Sequence, residues 1–262
     1  MILNINGSEL AESDGIWEWD NGFSGGERLC IFTDCNYIVF KADESIPESI
    51  IYMPDGKMDF FIPTSEEMYV YPPDAFSKIP HSFLCRQAAE SEIYEYRNLA
   101  LNPADRKDNE AFFPHSNANF VTRDSFAFES RNAIDGFCDN GGHAGFPFQS
   151  WGGGSRDDLE YNLYFGRPVI IDKIVLYLRA DYAVNEAGLF HDTYWKSAKI
   201  VFSDSTEMDI SPVKTKKGQE FTFEPKTVTA VSLKSLVRDL DFPTRGFAAL
   251  SQIEAYGKDI KK

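Results

Sequence analysis

What this chain can fold into is limited first by the brevity of its apolar runs. RLCIFTD at 28–34, CNYIVFKAD at 35–43, SIIYMPDG at 49–56, MDFFIP at 58–63, MYVYPP at 68–73 and HSFLCRQA at 81–88 are rich in Ile, Val, Phe and Tyr. They are punctuated by Pro, Gly and Asp, mostly before a helix could complete three turns. Such residues suit a pleated, half-buried surface, and Gly and Pro supply the turns. Helical periodicity is scarce, so the spacing predicts an all-β chain. The first hundred residues read as a small antiparallel β-sandwich, with Pro54-Asp55-Gly56 as a hairpin turn.

The character changes at AAESEIYEYRNLALNPADRKDNEAFFPHSNAN. Glu90 to Arg97 is charged, and the polar, Pro-containing stretch from Ala104 to Asn119 reads as a loop. Strand patterns resume at NFVTR, LEYNLYF, VIIDKIVLYLR, SAKIVFSD, TEMDIS, EFTFEP, VTAVSLKSLV and ALSQIEAYG, a rhythm that suits a two-sheet jelly roll. Two domains are expected, 1–97 and 98–262. The segment from Glu95 to Leu99 has no Gly, Ser or Pro run, so the first domain is expected to pack on the second. At 262 residues, bodies of this size bury a core without covalent staples.

Charge narrows the partners. A net charge of -15 opposes binding to phosphate backbones or anionic lipid, where Lys and Arg must displace counterions. Nucleic acid and membrane are therefore not expected, while a neutral or mildly acidic sugar is not penalised. The N-terminus, MILNINGSELAESDG, has no basic n-region and its apolar stretch is broken at once, so it does not read as a signal peptide. A cytoplasmic location is the expectation. Cys30, Cys35, Cys85 and Cys138 have no CxxC spacing and read as buried free thiols, with a Cys30–Cys35 bridge as the alternative.

Two distant segments carry the most specific signals. The first holds Ala133-Ile134-Asp135-Gly136, then Ser150-Trp151, then Phe165-Gly166-Arg167 leading into the apolar strand Val169 to Leu178. The second is FAALSQIEAYG, from Phe247 to Gly257. In this order, from Asn98 to about Gly257, the chain resembles the coagulation factor V/VIII type C, or discoidin, family, which includes the family 32 carbohydrate-binding modules of the galactose-binding-like fold. The resemblance implies a β jelly-roll sandwich that binds a glycan on loops at one end. It also implies a structural calcium, for which Asp135 and Asp139 are the available carboxylates. The family's Thr before the Trp is missing, however, and Gln252 stands where an acidic residue is usual. Calcium prefers several oxygens including carboxylates, so either no cofactor or calcium at Asp135 and Asp139 is expected.

A pyranose offers an apolar face for stacking and hydroxyls that need paired donors and acceptors. The resemblance places Arg179, at the end of its strand, and Asn185 among the sugar-contacting positions, with His143 before Ser150-Trp151 and Phe247 as the packing ring. Asp181, His191, Asp192, Trp151 and Trp195 complete the expected set. Alternatives remain open at several positions: Arg179 and Asp181 as a rim ion pair, His143 as a turn residue, Phe247 and Trp195 as core rings.

Carbohydrate binding without catalysis is the leading reading. An enzyme is the alternative, because His143, Arg179, Asp181, Glu186, His191 and Asp192 could converge for glycoside hydrolysis or polysaccharide lysis. No nucleophile elbow, phosphate loop or HExxH motif is present, and His143 and His191 lack close metal-ligand spacing. A protein-interaction module is the second alternative.

Overall fold

The computed structural model describes residues 1–261, and nearly all of its regular structure is strand. Residues 2–87 form two antiparallel sheets. One takes Ser8–Glu9, Ile2–Ile5, Arg28–Phe32 and Lys57–Phe61 in spatial order; the other takes Ala11–Ser13, Ile16–Trp19, His81–Gln87, Tyr37–Lys41 and Ser49–Tyr52. Alternate residues of facing strands turn inward, as a period of two requires. Leu3, Ile5, Leu29, Ile31, Ile38, Ile51, Phe60 and Phe83 thereby form one buried core.

The Pro54-Asp55-Gly56 turn is not a hairpin. It carries the chain from one sheet to the other, because Ser49–Tyr52 pairs with Tyr37–Lys41 while Lys57–Phe61 pairs with Arg28–Phe32. Gly56, at φ +63°, is required there: a Cβ would stand 2.1 Å from the Thr33 carbonyl oxygen. The run MYVYPP is not a strand either. Glu67–Val70 is a short 3-10 turn, held where the Glu67 carboxylate accepts the Thr64 N–H (2.8 Å) and hydroxyl (2.9 Å), and Pro72 and Pro73 lack the N–H a ladder needs.

Eight of the remaining ten strands form an antiparallel assembly built on Tyr161–Leu178, and the other two, Phe190–Asp192 and Thr244–Phe247, pair with each other. Tyr161–Leu178 lies between Gln219–Arg238 and Ala249–Asp259. Its register breaks between Tyr164 and Val169, where Gly166 sits at φ +68° against the Phe113 ring. The first half also pairs with His115–Ala118, so one long strand serves two regions of the sandwich. EFTFEP and VTAVSLKSLV prove to be one strand, Gln219–Arg238. Pro225 falls in the gap between the Thr222 and Lys226 pairings, where no ladder donor is needed. NFVTR is instead a turn, Thr122–Asp124, with Arg123 at φ 58°.

Inside, Trp151 and Trp195 stack at 5.6 Å, with Tyr161, Phe165, Ile253 and Leu250 around them. All four cysteines are free; only Cys85 is buried, and the other three are half-buried.

The two sets of sheets meet across a polar clasp. Asp259 accepts hydrogen bonds from Tyr37 (2.8 Å), Arg97 (2.9 Å) and Arg167 (2.9 Å from Nη2), and the Arg167 guanidinium lies over the Tyr37 and Tyr52 rings. Burial opposes the Asp259 charge, but Arg167 and Arg97 outweigh it and hold the carboxyl below the usual range. Tyr52 and Phe113 exchange two main-chain hydrogen bonds of 2.9 Å. Ala104 and Phe112 join the core of the first sandwich, so the segment after Asn98 braces both bodies.

Candidate functional site

Four chain segments converge at one end of the second sandwich. Arg179 leaves the sheet at the end of Tyr161–Leu178 and is fixed by its N–H to the Ala249 carbonyl (2.9 Å). His191 and Phe247 come from Phe190–Asp192 and Thr244–Phe247, two short strands paired in parallel with Asp192 opposite Phe247. His143 comes from the long loop after Asp135. That loop is pinned by Asn140, whose amide donates to the Leu178 (3.0 Å) and Lys216 (2.8 Å) carbonyls.

Arg179 is 3% exposed and Asp192 fully buried. Arg179 Nε and Nη2 both donate to Asp192 Oδ1 (3.0 and 2.7 Å), and Nη2 reaches the Phe247 carbonyl at 3.4 Å. The other Asp192 oxygen accepts the Asp181 N–H at 2.8 Å. The rim pair between Arg179 and Asp181 does not form. Asp192 instead aims the guanidinium, and Arg179 Nη1 makes no bond within the protein.

Both imidazoles rest on carboxylates through Nδ1: His143 on Asp181 at 2.6 Å, His191 on Asp192 at 2.7 Å. A carboxylate only accepts, so Nδ1 carries the hydrogen in each ring and Nε2 is the nitrogen left for a ligand. The rings stack on one another with centroids 4.0 Å apart and 14° between planes, and Phe247 packs obliquely on His191 at 5.8 Å. Together they make a ring platform beside the guanidinium. A cleft of about 440 Å³ opens over it, also lined by Thr122, Arg123, Phe128 and Arg245.

The His143, Asp181 and His191 donor atoms lie within 4.8 Å of one another, which raises the question of a transition metal. An ion sits near the plane of each imidazole that binds it. Two nearly parallel, stacked rings with centroids 4.0 Å apart share no such point, so the trio forms a hydrogen-bonded platform, not a chelate.

The structure therefore brings together His143, Arg179, Asp181, His191, Asp192 and Phe247. Three expected contacts lie elsewhere. Trp151 and Trp195 are 0% and 1% exposed; they are core rings, out of reach of any ligand. Asn185 spends its side-chain oxygen on the Ala187 (2.9 Å) and Leu189 (3.0 Å) N–H groups of its own turn. Arg123 and Arg245 line the cleft beyond the expected set. Arg245 stands two residues before Phe247 in one strand, a spacing that puts both on the same face. Arg123 had no such signal, since it arrives from a turn more than a hundred residues away.

The calcium position does not fit calcium. Both Asp135 oxygens accept N–H groups, from Phe137 (2.9 Å) and the Gln149 amide (2.8 Å), and the Gln252 oxygen faces the Gly136 N–H at 3.3 Å. Asp139 is exposed. Amide donors occupy the carboxylate a hard cation would need. Burial pushes the Asp135 carboxyl up to about 7, against the lowering effect of those N–H groups.

No protein-family model and no curated protein matches the sequence. Among solved structures the chain is similar to chitosan-binding module 1 of a chitosanase/glucanase from Paenibacillus sp. IK-5, at 19% identity over 61% of this chain and 98% of that one, with a TM-score of 0.41. It is similar to the family 32 carbohydrate-binding module of C. perfringens NanJ in complex with galactose, at 13% identity over 54% of this chain and 91% of that one, TM-score 0.39. A fucose-binding module of Streptococcus pneumoniae aligns at 13% identity over 62% of this chain and 98% of that one, TM-score 0.41. These neighbours are themselves carbohydrate-binding modules.

Proposed function

We propose that the protein is a carbohydrate-binding protein, that residues 98–262 form its binding domain, and that a pyranose docks in the cleft over His143, His191 and Phe247. The observation that carries this reading is the pairing of a half-exposed ring platform with an arginine whose orientation is fixed by Asp192 and whose Nη1 is unspent. A sugar's apolar face stacks on such rings, and vicinal hydroxyls match a guanidinium edge and the imidazole Nε2 atoms. A shallow, open site of this kind binds weakly, because little of the ligand is desolvated.

A glycan array followed by calorimetry on the wild type, Phe247→Ala and His143→Ala tests the proposal. Each variant should weaken binding of the positive glycan by about tenfold, in line with the stacking and hydrogen-bond losses involved. Unchanged binding in both variants would put the site elsewhere. The pairing of His143 with Asp181 at 2.6 Å also has the form of an oriented general base. Turnover of a polysaccharide that depends on His143 and Asp181 would replace the binding reading with catalysis.

A further inference from the structure

The charge around the cleft runs against the charge of the chain. Acidic residues outnumber basic ones 41 to 26, yet the cleft wall carries Arg123, Arg179 and Arg245 and no Asp or Glu. Arg179 is neutralised by Asp192, and Asp181 lies beneath the imidazoles, bonded to His143. Arg123 and Arg245 are different. Both are exposed, and among the described residues neither forms an ion pair or a side-chain hydrogen bond; Arg106 also lacks an ion pair but its guanidinium lies over the Phe61 ring, and the other arginines are paired with carboxylates. Two of the protein's three arginines that lack both an ion pair and a side-chain hydrogen bond therefore stand at the edge of one cleft. They come from separate elements, the Thr122–Asp124 turn and the Thr244–Phe247 strand.

We infer that the ligand is an anionic glycan, one bearing a carboxylate or sulfate on a pyranose ring, held by the ring platform while Arg123 and Arg245 take the charged substituent. This rests on the proposed glycan site and specifies its chemistry. Guanidinium groups match planar carboxylates and sulfates through paired N–H donors, and such charge-assisted bonds are about twice as strong as neutral ones. The surrounding acidic surface repels every anion alike, so the arginine contacts and the ring stacking must together outweigh it, and specificity needs both parts.

Matched pairs separate the charge from the sugar. Oligogalacturonate would be compared with its methyl ester, and a sulfated galactose oligomer with its unsulfated counterpart, by calorimetry at low and moderate salt. The acid of at least one pair should bind about tenfold or more tighter than its neutral partner, and salt should erode that margin by screening. Arg123→Gln and Arg245→Gln should each remove most of the margin while leaving the neutral partner's binding in place. Both residues are exposed and unpaired, so the variants should fold as the wild type does. The carboxylate and sulfate arms tell the two substituents apart. If neutral oligomers bind as tightly as their acids and the arginine variants change neither, the anionic inference falls and the glycan site stands. If neither member of any pair binds, both fall.

Discussion

The pair formed by Arg179 and Asp192 makes the sharpest quantitative test, because it shows what the obvious binding mutant would do to folding. Arg179→Met keeps most of the side-chain volume but removes the three hydrogen bonds that the guanidinium donates. Asp192, fully buried, would retain only the His191 ring and the Asp181 N–H. An uncompensated buried carboxylate of this kind costs about 3–5 kcal/mol, which corresponds to a fall in melting temperature of roughly 6–20 °C for a protein of this size. Adding Asp192→Asn removes the stranded charge, and the double variant should recover about 1–2 kcal/mol relative to Arg179→Met. Urea unfolding followed by tryptophan fluorescence reads the effect, since Trp151 and Trp195 share the core behind the pair. An Arg179→Met protein within about 1 kcal/mol of wild type would refute the buried-pair reasoning, as would a double variant no more stable than the single one. Loss of glycan binding in Arg179→Met would then have to be measured below its lowered melting point.

Three further outcomes follow from the same geometry. Asp135 has its folded pKa raised to about 7: no penalty exists below the unfolded value near 4, and stability is lost as pH rises from there through 7, by up to about 4 kcal/mol. Asp135→Asn should flatten that slope in thermal melts between pH 4 and 8; an unchanged slope would contradict the burial argument. Adding calcium or a chelator should leave the melting temperature unchanged, because amides occupy the Asp135 oxygens, and a calcium-dependent rise of several degrees would overturn this account. Tyr69→Ala should loosen the loop carrying His143, since the Gly145 Cα packs against the Tyr69 ring; faster amide exchange at residues 141–148, with the core unaffected, is the expected reading.

How far the sequence could be read depended on where the controlling contacts lay. The strands were legible because burial alternates along them: Tyr161, Leu163 and Phe165 point inward one residue apart from exposed or half-exposed neighbours. Arg179 and Phe247 could be placed at one end of the sandwich, where both line the cleft, because each stands at the edge of an unmistakable apolar strand. Trp151 and Trp195 were misplaced because an aromatic beside polar residues looks the same whether it stacks on a ligand or on a second tryptophan. Asn185 failed for a similar reason, since an amide that closes its own turn satisfies the same composition rule as one that meets a sugar. Arg179 choosing Asp192 over Asp181 depends on a parallel ladder between residues 190–192 and 244–247, a pairing that no local pattern encodes.

The first sandwich is bound up with the site as well. Tyr69 accepts the Phe146 N–H at 2.9 Å through its carbonyl, three residues beyond His143, so the loop that supplies one imidazole of the platform is fastened to the other body. On the far side, Asp259 ends the strand that begins at Ala249, immediately after the Phe247 segment, and is clamped by Tyr37 from the first body and Arg167 from the second. The loop that carries His143 and the strand that follows Phe247 are thus each tied to the first body at a separate point. Because the loop that carries His143 is anchored in the first body, the 4.0 Å stack of His143 on His191 rests on contacts from both bodies.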